Sequence, residues 1–117
     1  MPSVRYATVA RKIAAVLEKL TVDDFRPAVG QAFSLDAAGA GKLELTLVEA
    51  RTIEPDAPPT DDTGRRTPFA LDLRGPVDPI LPQSIYRLEH PEVGALEIFI
   101  VPVGRTEAGT DYEAIFT

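Results

Sequence analysis

Residues 85–101, IYRLEHPEVGALEIFIV, decide the fold. Ile85 to His90 reads as a short strand, and Pro91-Glu-Val-Gly94 as a turn with proline at its second position and a closing glycine. Leu96, Ile98 and Ile100 then alternate with Glu97, Phe99 and Val101. This is the period of two that an extended chain imposes on its faces. The second strand is apolar on both faces, the pattern expected of a central one.

The same period recurs on either side. Phe69, Leu71 and Leu73 alternate with Asp72 and Arg74 facing outward, until Gly75-Pro76 breaks the run. Residues 76–82 (PVDPILP) hold three prolines in seven positions, so they form an extended connector that Ile80 and Leu81 pin to the core. Leu43, Leu45 and Leu47 alternate with Glu44 and Thr46 in a strand that runs on to Ile53. Phe33 and Leu35 form an earlier strand, with a glycine turn at Ala37-Ala-Gly-Ala-Gly41 between the two. Gly104 to Thr110 reads as a second hairpin loop, and Tyr112, Ala114 and Phe116 as a last strand. Residues 55–66 (PDAPPTDDTGRR) contain no large apolar residue and form a solvated loop.

Ahead of Gln31 the period is different. In residues 4–20 (VRYATVARKIAAVLEKL), Tyr6, Val9, Ile13, Val16, Leu17 and Leu20 fall in an arc of about 100° at helical spacing. Arg5, Lys12 and Lys19 sit beside that stripe. The stripe packs on the chain's own β body or joins another copy or another protein, so Tyr6, Val9, Ile13, Leu17 and Leu20 are candidate protein-contact residues. Thr21-Val-Asp-Asp24 approximates a capping box, with aspartate where glutamate or glutamine is usual, and predicts a short helical turn ending near Pro27 and Gly30. The expectation is a mainly β protein: a small antiparallel barrel or sandwich of about six strands with an N-terminal amphipathic helix. Residues 1–20 are the helical extension and residues 21–117 a single β-rich domain.

Composition bounds the function. A chain of 117 residues holds one core and buries roughly two-thirds of its unfolded surface. The absence of cysteine excludes a disulfide scaffold, a thiolate metal site and a cysteine nucleophile, and suits a reducing cytoplasm. The net charge of −6 argues against a nucleic-acid partner, which needs a positive contact surface. No window resembles a signal peptide or a membrane span, so no membrane partner is expected.

Candidate sites are weak. His90, the sole histidine, sits at a strand end before Pro91, where a polar turn residue is usual. Gly39-Ala-Gly-Lys42 lacks the spacing and the following Ser or Thr of a phosphate-binding loop. Asp56, Asp61 and Asp62 lack calcium-loop spacing. Glu44, Glu89, Glu97 and Glu113 lie on strands beside Arg51, Arg74 and Arg87, which cross-strand ion pairs on a wet face explain. No catalytic, cofactor or metal residue is therefore assigned. The weak ligand-binding candidates are Arg51, Arg74 and Arg87, arranged with the 55–66 loop around a barrel mouth for a small molecule or carbohydrate. A hydrolase would need two strand carboxylates converging in a cleft.

The line RTPFALDLRGPVDPILPQSIYRLEHPEVGALEIFIVPVG…YEAIF, with Asp24-Phe25-x-Pro27-x-Val29-Gly30-Gln31-x-Phe33 and Leu45-Thr-Leu-Val-Glu-Ala-Arg51, resembles a family of small bacterial proteins known as domain of unknown function 6916. The resemblance covers roughly residues 20–117 and leaves the first helix as an extension. It implies no catalytic residues, and it implies a setting beside phage-tail-like genes. The function expected is a non-enzymatic structural or protein-interaction module, self-associating or partnered, as an accessory of such an assembly. The alternative is a small-molecule or carbohydrate-binding barrel.

Overall fold

The computed structural model describes residues 20–37 and 41–117, and every structural statement below concerns these residues. The expected helix over residues 4–20 lies outside them, except for its last position, Leu20.

Helix α1 (Val22–Phe25) forms where the capping pattern places it. The Thr21 backbone N–H donates to Asp24 Oδ2 at 2.7 Å, so the shorter aspartate still reaches the cap. A 3-10 turn over Arg26–Ala28 follows, with Pro27 ending regular helix because it has no N–H to donate. Val22 and Phe25 are buried.

Six strands follow: β1 (Ala32–Ala37), β2 (Gly41–Thr52), β3 (Phe69–Gly75), β4 (Ser84–His90), β5 (Gly94–Thr106) and β6 (Gly109–Phe116). They close into an antiparallel barrel in the order β1-β2-β3-β6-β5-β4. Two three-stranded meanders, β1–β3 and β4–β6, join along two seams. The β3–β6 seam is long, running from Phe69↔Phe116 to Gly75↔Thr110. The β1–β4 seam has two rungs, Ser34↔Glu89 and Leu35↔Leu88. Of the barrel-or-sandwich expectation, the barrel is what forms.

Alternation fills the interior. Phe33 and Leu35, Leu45 and Leu47, Leu71 and Leu73, Leu88, Leu96, Ile100 and Tyr112 are all buried. Six strands enclose less space than the roughly eight whose interior side chains just fill. One inward position is glycine for this reason: a Cβ on Gly75 would lie 2.5 Å from Leu45 Cδ2 and 3.3 Å from Tyr112 Cε2.

Both barrel ends are stoppered. At one, Phe69 and Phe116 stack with centroids 4.5 Å apart, and Phe25 packs 5.7 Å from each. The Arg66 guanidinium covers the Phe116 ring at 5.6 Å and binds the Thr117 carbonyl at 3.1 Å and the Leu20 carbonyl at 3.0 Å. Toward the other end, the buried Leu81 donates its N–H to the Tyr112 hydroxyl at 2.9 Å. The proline-rich connector is thus pinned by the buried Leu81, and its Val77 and Pro82 carbonyls accept from the Thr110 and Tyr86 hydroxyls. Ile80, expected to share that role, is 43% exposed because the hydrogen bond orients its neighbour inward.

Three other expectations change. The hairpin loop expected over Gly104–Thr110 shrinks to Glu107-Ala108, because β5 continues past Gly104 through a bulge between Pro102 and Gly104. The 55–66 loop is exposed as its composition requires but folds back on itself: Thr60 bridges Arg66, and Asp61 Oδ1 accepts the Thr63 and Arg65 amides at 2.9 and 3.0 Å. Strand β5 pairs on both sides, yet its second face is not covered, since Phe99 is 51% exposed.

Replacing Phe25 by alanine leaves a void beneath two stacked rings and is expected to cost about 3–5 kcal/mol in urea unfolding. An unchanged midpoint would contradict its role as the stopper.

Candidate interaction surface

With the interior occupied, surface chemistry resides on the outside of the barrel. That outside carries ion-paired charges across β2, β3 and β6, referred to below as the charged wall, and on β4 and β5, referred to below as the apolar wall, large exposed apolar side chains beside Arg87, Glu89 and Glu97.

The charged wall depends on a bulge. Leu43, Leu45 and Leu47 face inward, so Arg51 would face inward too if β2 were regular. The register shift between Leu47 and Glu49 reverses the parity, burying Ala50 and placing Arg51 outside. There Arg51 Nε donates to Asp72 at 2.9 Å and its Nη2 to Glu113 at 2.7 Å. Asp72 and Glu113 are direct partners across the β3–β6 seam, a like-charge pairing that would destabilise the seam unbridged. The hydrogen bond to Asp72 is the main reason the Arg51 pKa lies above its ordinary value. Arg74 binds its cross-strand partner Asp111 at 2.8 Å, which raises its pKa in the same way.

The apolar wall is the reverse. Ile85 and Phe99 are direct partners across β4 and β5, both facing out, and are 65% and 51% exposed. Val103 on β5 is 58% exposed. Two residues beyond the Val101↔Glu113 rung come Phe99 on β5 and Ile115 on β6, and Ile115 is 56% exposed. Such side chains grouped on one wall make it a candidate contact surface, whereas single exposed ones are ordinary.

His90 closes β4 with its ring buried and every ring nitrogen engaged. Its Nδ1 accepts the Glu92 and Val93 amides, each at 3.1 Å, while Nε2 meets Gln31 Oε1 at 2.6 Å. This fixes Nε2 as the protonated nitrogen, donating to the Gln31 carbonyl. The ring also stacks on Phe33 at 4.7 Å. It organises the turn to β5, as its place before Pro91 suggests.

The three arginines do not converge. Arg51 and Arg74 lie near opposite ends of β3, opposite Ala70 and Thr46, and Arg87 lies on β4 in the other meander. Arg87 borders an open cleft of about 320 Å³ with Ser34, Asp36, Lys42 and Glu89, where cations and carboxylates alternate. Of the strand carboxylates, Glu113 meets Asp72 only across the Arg51 guanidinium. Asp61, one of the aspartates weighed for calcium, spends its carboxylate on its own loop; the Thr63 hydroxyl foremost holds its pKa below the usual carboxylate range. Among the candidate contact residues, Leu20 is buried beside Asp24, Ala28, His90 and Val93, and Tyr6, Val9, Ile13 and Leu17 lie outside the described residues. The exposed wall escaped sequence reading, although Ile85, Phe99 and Val101 on outward positions carried the signal. Among the described residues no helix is long and apolar enough to cross a membrane.

Arg51→Met leaves Asp72 and Glu113 facing each other. It is expected to lower stability by about 1 kcal/mol, less in high salt, in denaturant titrations at two ionic strengths. A loss that does not shrink with salt would contradict the electrostatic account. His90→Phe keeps a ring against Phe33 but orphans the Gln31 carbonyl and two turn amides, a loss of about 1–3 kcal/mol. A fully stable variant would show that the ring nitrogens contribute nothing.

No curated protein and no solved structure matches the chain. Residues 20–116 match the family described as Domain of unknown function (DUF6916), over all but the start and the last residue of the chain. The chain belongs to that family.

Proposed function

We propose that this chain is a non-enzymatic protein-interaction module that works as a structural accessory and recognises its partner through the β4–β5 wall. The observation that carries the reading is the outward Ile85↔Phe99 pair, with Val103 and Ile115 near it, on a barrel with an occupied interior. Exposed apolar side chains give up water when a partner covers them, at about 25 cal/mol per Å². Phe99 is a suitable anchor, since aromatic residues are enriched at the cores of protein interfaces.

Two further features support this reading over small-molecule binding or hydrolysis. The inward side chains of the strands are buried against one another, and the arginines of the charged wall are already bound to carboxylates. A tail-like assembly, the setting the family resemblance suggests, would use such a module for docking.

The test is a photo-crosslinking residue at Phe99 in cells of the native host, with one at Glu44 on the charged side as control. The expected result is a protein adduct of discrete mass at least five-fold more abundant from Phe99. Equal yields from both positions would overturn the proposal.

A further inference from the structure

We infer that β4 takes up an extended, cationic segment of a partner protein as an added strand along residues 84–86. The inference rests on the reading of the β4–β5 wall as a contact surface and names how that surface recognises its partner.

The backbone supplies the first ground. β4 pairs with β5 along its whole length, from Ser84↔Ile100 to His90↔Gly94, but its ladder with β1 holds only Ser34↔Glu89 and Leu35↔Leu88. Past Leu88 the two strands part. Among the described residues no strand pairs with Ser84, Ile85 or Tyr86 on the β1 side. Every such residue carries a backbone N–H and C=O, so the stretch is a template for any extended chain that reaches it. Edges of this kind are commonly guarded by lysine, proline or a bulge. Ser84-Ile-Tyr86 has none of the three, and its register with β5 is unbroken.

Space and side chains supply the second ground. Where β1 and β4 part lies the open cleft of about 320 Å³ bordered by Ser34, Asp36 and Lys42 and by Arg87 and Glu89. Ligand clefts begin at roughly 300 Å³. An added strand lies about 4.8 Å from its neighbour, and its side chains alternate between the same two faces. Its outward side chains therefore fall beside Ile85, which is 65% exposed and backed by Phe99 across β5. An apolar residue there extends the Ile85↔Phe99 pair by one strand.

Shape and charge select the occupant. Residues 20–117 hold eight basic and seventeen acidic side chains, a net −9. That field draws in a cationic segment. A second copy would bring another −9. It would also offer only the same three-residue edge with a barrel behind it, whereas a lone segment has nothing behind it to collide.

The probe is the peptide acetyl-Lys-Val-Thr-Val-Thr-Lys-amide, titrated into the full chain and followed by amide NMR. The expected result is shifts and slowed exchange centred on Ser84, Ile85 and Tyr86. A strand bonds through one edge, and alternate residues point their N–H groups to each edge. N-methylation of both valines or of both threonines should therefore weaken binding at least ten-fold in one case and less than three-fold in the other. Ile85→Ser should weaken binding at least five-fold, and Val48→Ser, on the exposed face of β2, should leave it unchanged. Replacing both lysines of the peptide by glutamate should weaken it at least five-fold. No shift at residues 84–86 with millimolar peptide, equal affinity for both methylated forms, or indifference to Ile85→Ser or to the sign of the peptide's charge would overturn the inference. If any of these outcomes accompanies a discrete adduct at Phe99, the wall remains an interaction surface and strand addition is removed.

Discussion

The rest of the structure depends on a short seam, the two rungs Ser34↔Glu89 and Leu35↔Leu88 that join β1 to β4. Without it the two meanders would form an open six-stranded sheet with unpaired edges, a template for unwanted strand pairing. With it the sheet closes, and every strand has a neighbour on each side. Closure at six strands also sets a diameter that Leu45, Leu71, Leu88, Leu96 and their neighbours fill. Phe25 and Leu81 then stopper the ends. The same seam that closes the barrel therefore packs its interior with side chains and leaves the remaining chemistry to the outer walls.

Those walls differ because parity along the strands is adjusted locally. The bulge after Leu47 moves Arg51 from an inward to an outward position, where it bridges Asp72 and Glu113. A corresponding irregularity near Val103 lets β5 extend past Pro102 and Gly104. On one side charges satisfy each other. On the other, Ile85, Phe99, Val103 and Ile115 meet solvent. Exposing them carries a free-energy cost in the isolated barrel.

Much of the fold was legible because alternation is local. Phe69, Leu71 and Leu73, or Leu96, Ile98 and Ile100, declare their inward face within five residues. The capping pattern at Thr21–Asp24 and the turn at Pro91–Gly94 were legible for the same reason. The seam was not, because pairing between segments some fifty residues apart leaves no periodic trace in either. Bulges were hidden too, so the outward placement of Arg51 had the right outcome without its cause. The exposure of Phe99 was not legible because an outward aromatic on a central strand reads the same whether a second layer buries it or solvent meets it. Composition does not separate the two. Ile80 and Leu81 look alike in sequence, and only the hydrogen bond from Leu81 to Tyr112 distinguishes them.

Closure is the central claim, and backbone NMR across the short seam tests it most directly. Cross-strand contacts between the backbones of Leu35 and Leu88, with slow amide exchange on both faces of β1, are the predicted result. Contacts from β1 to β2 alone, with rapid exchange along the side of β1 that faces β4, would contradict a closed barrel and reopen the interior as a place for ligands.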